Sequence, residues 1–214
     1  MTIHHHPDDT MLLGYAAGTL DTGQHAAIAT HLMFCPHCRS FTRALEHAGG
    51  EVLANLPAAP MSADAPASLE TRLSEPSAPT APRVPAADLG IPGLPDFVRR
   101  YGIGKWQWVA PRVHLRRIEL PEQSETRVFL LRSGAGTRML QHSHTGIELT
   151  CVLKGAFRHE GGYFGPGDFD LGDDTVDHRP MVEEGEDCVC FVAMQGELKL
   201  NGLLGRVMQP FVRL

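Results

Sequence analysis

The chain of 214 residues has no apolar run approaching the roughly 20 residues that a membrane-spanning helix needs. Its first nine residues, Met1-Thr2-Ile3-His4-His5-His6-Pro7-Asp8-Asp9, lack both the basic start and the apolar core of a secretory leader. These two absences predict a cytoplasmic protein with no membrane partner. Positive charge is not in excess: 19 Lys and Arg face 25 Asp and Glu, net −6, so nucleic acid is not expected as a direct partner. Cysteine is scarce and odd in number, at five. In a reducing compartment that suits metal ligation or redox chemistry better than a disulfide frame. Lysine is missing altogether from residues 1–85, where eight acids meet four arginines. An acidic stretch of that kind suits a basic protein partner, although a plain solvated face has the same composition.

Other residues are abundant. Hydrophobic residues at 43% and charged residues at 21% are enough for a packed core. Nine of the 16 prolines fall between Pro57 and Pro95, in a stretch dense in alanine. Proline fixes φ and removes a donor, so this stretch reads as a linker from about residue 57. A short helix near 67–74, with Leu69 and Leu73 one turn apart, interrupts it and is poised to dock on a partner. The chain thereby divides into residues 1–85 and 86–214.

Before the linker the pattern is helical. Asp8 and Asp9 favour a helix start, Met11, Leu12 and Tyr15 follow at helical spacing, and Gly18 stops it. Asp21 or Thr22 caps a second helix that runs through 29–32. Pro36 opens a third, whose Phe41, Leu45, Ala48 and Val52 share one face until Pro57. After the linker, short apolar segments at 113–120, 127–132, 147–153, 157–164, 169–171, 179–182, 188–194 and 198–200 are separated by glycine and charged turns. Many short strands so punctuated predict a sandwich or barrel. Trp106 and Trp108 are expected to cover one end of it. The fold class is therefore a small all-α bundle followed by an all-β barrel.

Two constellations carry chemistry. The first is His31-x3-Cys35-x2-Cys38. His31 lies one helical turn before Cys35, and Cys35 and Cys38 straddle a tight turn, so all three can reach one ion. Zinc takes four such ligands in a tetrahedron. The run His4-His5-His6 is the evident source of the fourth, and His6 adjoins the first helix. A closed His2Cys2 site would be structural and would tie the helices together. Cys35-Pro36-His37-Cys38 is also a Cys-x-x-Cys, but the thiol oxidoreductase motif follows a strand and this one follows a helix.

His6, the segment Leu12-Leu13-Gly14-Tyr15-Ala16-Ala17-Gly18-Thr19-Leu20 and the run His31-Leu32-x-x-Cys35-Pro36-x-Cys38-Arg39 together resemble the zinc-binding anti-sigma domain. That resemblance implies a helical bundle that packs against an alternative sigma factor of the extracytoplasmic-function group. It would block the surfaces that meet polymerase and promoter.

The second constellation is Gly136-x5-His142-x-His144-x3-Glu148-x6-Gly155. Positions 142, 144 and 148 share parity in an extended chain, so two imidazoles and a carboxylate can face one side. The spacing resembles the first cupin motif, which implies a small jelly-roll barrel with a divalent metal inside it. A second cupin motif supplies a further histidine soon after a Pro/Gly turn. Here Gly165-Pro166-Gly167-Asp168 is the turn and His178 is the next histidine, beyond what reads as an extra loop over 170–177. Zinc is the first expectation for this metal; iron, manganese and nickel accept the same donors. Cys188 and Cys190 share one strand face, either as a redox pair or, by preference, as small buried hydrophobes. Cys151 is expected to pack away from the metal, and His114 and His159 to lie on the surface.

Joined, the two halves resemble the ChrR family of cytoplasmic anti-sigma factors. The resemblance implies that residues 1–85 sequester a sigma factor one to one. It also implies that the cupin domain is needed for its release on oxidative stress by singlet oxygen or related organic oxidants. It implies no catalysis. The alternative reading is a metal-dependent cupin dioxygenase or isomerase with a structural zinc module.

Overall fold

A computed structural model describes residues 2–76, 91, 94–120, 124–175 and 177–200. Four helices come first. α1 (Asp9–Ala17) starts where the Asp8 carboxylate accepts the Met11 N–H at 2.7 Å, and stops at Gly18, whose φ of 67° makes a left-handed cap. α2 (Thr22–Phe34) is capped by Asp21, which accepts the Gly23 N–H at 2.9 Å. Cys35 alone separates it from α3 (Pro36–Ala54), which begins on Pro36. α4 (Ala65–Ser74) lies within the proline-rich stretch. The expected boundary between 85 and 86 lies outside the described residues. Among those residues no helix is long and apolar enough to cross a membrane.

The remainder is β. Its strands are β1 (Gly102–Ile103), β2 (Gln107–Ala110), β3 (Val113–Glu119), β4 (Arg127–Ser133), β5 (His142–His144) and β6 (Glu148–Lys154). They continue as β7 (Phe157–His159), β8 (Gly162–Phe164), β9 (Phe169–Gly172), β10 (Met181–Val182), β11 (Cys188–Met194) and β12 (Leu198–Leu200). All pairings are antiparallel. The large sheet runs β1-β3-β4-β11-β6-β9 with β2 on β3, and smaller sheets β10-β7-β8 and β12-β5 close the barrel. The segment expected as one strand over 157–164 is a hairpin, turned at Glu160-Gly161, with Gly162 opening its second strand at φ 128°. The stretch 170–177 is not all loop, because β9 occupies its first residues. Trp108 does not cover the barrel end: it is 65% exposed on β2, while Trp106 packs under the guanidinium of Arg132, 4.9 Å from its ring centre.

The large sheet is covered on both faces, which is why β11 reads as a continuous apolar run rather than an alternation. Cys188, Cys190, Val192 and Met194 point into the barrel, packing with Phe129, Val152 and Phe157. Val189, Phe191 and Ala193 point outward, where Val128, Leu130, Leu149 and Cys151 join them. Cys151 thus packs away from the barrel interior. That outer face is roofed by α2, whose Ala26, Ala27 and Ile28 are buried in the same core. Burying a side chain such as Ile28 contributes about 1.5–3 kcal/mol. The approach is close: a Cβ on Gly23 would lie 2.6 Å from Cγ2 of Thr126. The cap of α2 is also held from the β side, since the Ser124 hydroxyl donates to both Asp21 carboxylate oxygens at 2.6–2.7 Å.

Candidate metal centres

The junction of α2 and α3 brings the first constellation together. His31 comes from the last turn of α2, Cys35 from the one-residue link and Cys38 from the first turn of α3. His6 arrives on the extended segment before α1. Its Nδ1 stands 3.4 Å from Cys35 Sγ and 3.3 Å from Cys38 Sγ. One ligand atom from each of His6, His31, Cys35 and Cys38 lies within 4.8 Å of the others. The Cys38 backbone N–H points at Cys35 Sγ, 3.4 Å away. His31 donates from Nδ1 to the Gly167 carbonyl at 2.8 Å, which leaves Nε2 buried and without a hydrogen-bond partner. An orphaned imidazole nitrogen facing two sulfurs and a second imidazole fits a tetrahedral zinc site. Burial lowers the His31 pKa to about 4, so its ring is neutral and ready to ligate. Burial and the neighbouring Cys35 push the Cys38 thiol up to about 12, so that proton leaves only when a metal takes its place.

The second constellation lies at the mouth of the barrel. His142 and His144 are on β5, and His178 bridges back to His142 through paired backbone hydrogen bonds of 3.1 Å. The Nε2 atoms of His178 and His142 are 3.0 Å apart, and those of His144 and His178 3.4 Å. His142 donates from Nδ1 to the Leu140 carbonyl at 2.7 Å, so its Nε2 carries a lone pair. Three ring nitrogens crowd together, and His144 Nδ1 and His178 Nδ1 are buried without a hydrogen-bond partner. That donor set fits a divalent metal. Burial depresses the basicity of all three, His178 to about 4. Glu148 is not in one extended run with the histidines: a turn separates β5 from β6, and Glu148 opens β6. Its carboxylate lies 3.8 Å from His144 Nδ1 and does not join the three imidazoles at the 4.8 Å spacing. Burial holds it above the usual carboxylate range, with His142 opposing.

Beside the triad is a cavity of about 140 Å3, lined by Phe129, Leu131, Val182 and Met194 and reached by Glu148, Cys188 and Cys190. The Cys188 and Cys190 sulfurs are 3.6 Å apart. Their hydrogen bond and burial both raise the Cys190 thiol. His159 is not a surface residue. Its Nε2 is 3.0 Å from Asp170 Oδ2, its ring stacks on Phe164, and with Asp170 it forms a second grouping that includes His178. The signal was its strand parity with buried Phe157.

A helical module with a His–Cys cluster, roofing a cupin-like barrel with a three-histidine cluster, defines the class to which this molecule belongs. Residues 96–197 match the ChrR cupin-like domain family. The chain is 36% identical, over the full length of both, to the anti-sigma-E factor ChrR of Cereibacter sphaeroides. Its fold superposes with a TM-score of 0.73 on a crystal structure of Rhodobacter sphaeroides SigE in complex with the anti-sigma ChrR, at 34% identity, covering 91% of this chain and all of that one. An RmlC-like cupin protein of Ralstonia eutropha aligns over 47% of this chain and 68% of its own, at 23% identity and a TM-score of 0.42. The chain belongs to the ChrR family of anti-sigma factors.

Proposed function

We propose that this protein is a cytoplasmic anti-sigma factor. In this reading residues 1–85 bind an extracytoplasmic-function sigma factor one to one and hold it inactive, and residues 86–214 are needed for its release under oxidative stress. The observation that carries it is the surface of the helical module. Val52, Leu53, Leu56, Met61, Leu69 and Leu73, on α3, α4 and the link between them, are exposed. That much apolar surface on a soluble chain marks a place for a partner. Full-length similarity to a protein named as an anti-sigma-E factor supplies the partner's class.

We assign a structural zinc to His6, His31, Cys35 and Cys38, and a second divalent metal to His142, His144 and His178 with Glu148 beside them. Zinc comes first for the second metal too, with iron, manganese or nickel fitting the same donors. A bound metal would cross-link the segment before α1 to α2 and α3 at the first site and fix the three imidazoles at the second. Neither site has a catalytic role in this reading. The sensing groups are the oxidisable cupin histidines and the Cys188–Cys190 pair. An organic hydroperoxide would convert that pair to a disulfide and leave as alcohol and water.

The test is co-purification of the full chain with an extracytoplasmic-function sigma factor of the same organism. The native chain should retain the sigma factor and Cys35→Ser should not. Cys188→Ser, Cys190→Ser and His142→Ala variants should retain it yet fail to release it on exposure to singlet oxygen. Release as in the native chain by every one of these would sink the sensing half. The cavity beside the triad favours the second reading, a cupin dioxygenase or isomerase. Substrate turnover that disappears in His142→Ala would establish that reading.

A further inference from the structure

Four consecutive residues of the barrel, 167–170, lie between the two histidine clusters, the first three against one and the fourth against the other. Gly167 accepts at its carbonyl from His31 Nδ1, at 2.8 Å. Asp168, 2% exposed, accepts at Oδ1 from the backbone N–H of His4 at 2.7 Å and of His5 at 3.0 Å, and so pins the arm that carries His6. Its Oδ2 accepts from Gly165 N–H at 2.8 Å, which fixes the carboxylate in the turn. Phe169 donates its N–H to the His5 carbonyl at 3.1 Å and sets its ring edge-on to His31, with centroids 5.6 Å apart. Asp170 turns to the other side, 3.0 Å from His159 Nε2 and within the grouping that includes His178. Contact at Gly167 is tight enough that only glycine fits: its φ is 87°, and a Cβ would lie 2.8 Å from both Ile3 Cδ1 and Phe34 Cβ. A second line of contact runs parallel. The His5 ring stacks on Phe164 at 4.1 Å, Phe164 on His159 at 4.8 Å, and His159 meets His178 at 5.0 Å.

We propose that residues 167–170 are an outer shell shared by the two clusters, and that metal held by the cupin histidines strengthens metal binding at His6, His31, Cys35 and Cys38. The turn orients two of the four ligands of the helical cluster from the barrel side, and outer partners of that kind set ligand direction and metal affinity. Metal at His142, His144 and His178 fixes the His178 ring, which leaves Asp170 and His159 one arrangement against it. The backbone of 167–170 then holds still under His31 and the His6 arm. Linkage makes the effect mutual, so metal at the helical cluster strengthens the cupin site by the same factor. The inference rests on reading both clusters as metal sites and makes no use of the sigma factor.

The test uses the full chain carrying Cys188→Ser and Cys190→Ser, titrated with Co(II). Of the three thiols that remain, Cys151 is buried in the outer core away from both clusters, so thiolate-to-cobalt charge transfer reports Cys35 and Cys38, and Cys38→Ser serves as the blank. Asp168→Asn leaves an amide facing N–H donors, and should weaken the charge-transfer site about 10-fold or more. His142→Ala, which disables the cupin site and leaves residues 167–170 untouched, should weaken it about 5-fold or more. Far-ultraviolet circular dichroism checks the fold of each variant. Should Asp168→Asn fail to fold, His142→Ala and the reciprocal measurement, cupin-site affinity in Cys38→Ser, decide alone. Affinities unchanged within 2-fold in His142→Ala overturn the proposal while leaving metal binding and the anti-sigma reading in place. Absence of any charge-transfer band in the parent chain overturns it together with the metal reading.

Discussion

His31 shows how a single side chain serves two parts of the molecule. One nitrogen is fixed by a barrel carbonyl, and the other is left free among two sulfurs and an imidazole. Its sequence context, a histidine one turn before a Cys-x-x-Cys, was enough to mark it as a ligand candidate. The carbonyl that orients it lies 136 residues away and was not legible. The same burial that prepares His31 and His178 as neutral donors makes the metal-free chain sensitive to acid. Both pKa values fall from 6.5 to about 4 on folding. The unfolded chain therefore binds more protons than the folded one between those limits, and stability present above pH 6.5 is lost as pH falls toward 4. The gap corresponds to about 3 kcal/mol for each ring. Glu148 opposes this in part, because its raised pKa penalises the folded state at higher pH. Urea unfolding of chelator-treated protein at pH 7.5, 5.5 and 4.5 should show a midpoint that drops steadily across this range. A flat profile would mean that the rings are solvated.

At the level of elements, helix starts and stops followed local chemistry closely. Asp8, Gly18, Asp21 and Pro36 cap or begin their helices in the expected places. Strand lengths were harder to read, because 157–164 has apolar residues at both ends, and the turn at Glu160-Gly161 folds it into β7 and β8. The parity argument for 142, 144 and 148 holds for His142 and His144 on β5, but the bend before β6 breaks the register, and Glu148 stands 3.8 Å from His144 Nδ1 outside the group of three imidazoles. Helix α4 illustrates an element that forms without a home. It has no buried residue, and Leu69 and Leu73 are 58% and 77% exposed. Replacing both by Asp should move the thermal midpoint by no more than about 2–4 °C, as for two surface changes worth up to about 0.5 kcal/mol each. It should also lower sigma-factor retention at least 10-fold in the co-purification assay. Undiminished retention would place the partner elsewhere on the module.

For the whole molecule, the central fact is that α2 belongs to two packing systems at once. It buries Ala26, Ala27 and Ile28 against the large sheet, and from its last turn sends His31 both to the barrel carbonyl of Gly167 and to the cluster with Cys35 and Cys38. Glycine at position 23 permits this approach. Gly23→Ala should cost about 1–3 kcal/mol by overpacking against Thr126 and Val128. Gly49→Ala in α3, where a Cβ meets nothing within 4 Å, should instead stabilise by about 0.5–1 kcal/mol. Chemical unfolding of the two variants side by side checks both signs, and equal effects would mean that α2 does not press on the sheet.

The sequence alone determined which residues can ligate, because spacing along a helix turn or a strand is a local property. It also determined the helical and β halves, because capping residues and apolar periodicity act within a few residues of themselves. The tertiary structure decided what those halves are to each other. Cys188 and Cys190 line a cavity, His159 faces the cupin cluster, and Gly167 and Asp168 hold His31 and the arm of His6 in the other cluster. Each depends on contacts between segments far apart in the chain, where closure of the barrel and docking of α2 set the geometry and no local pattern records it.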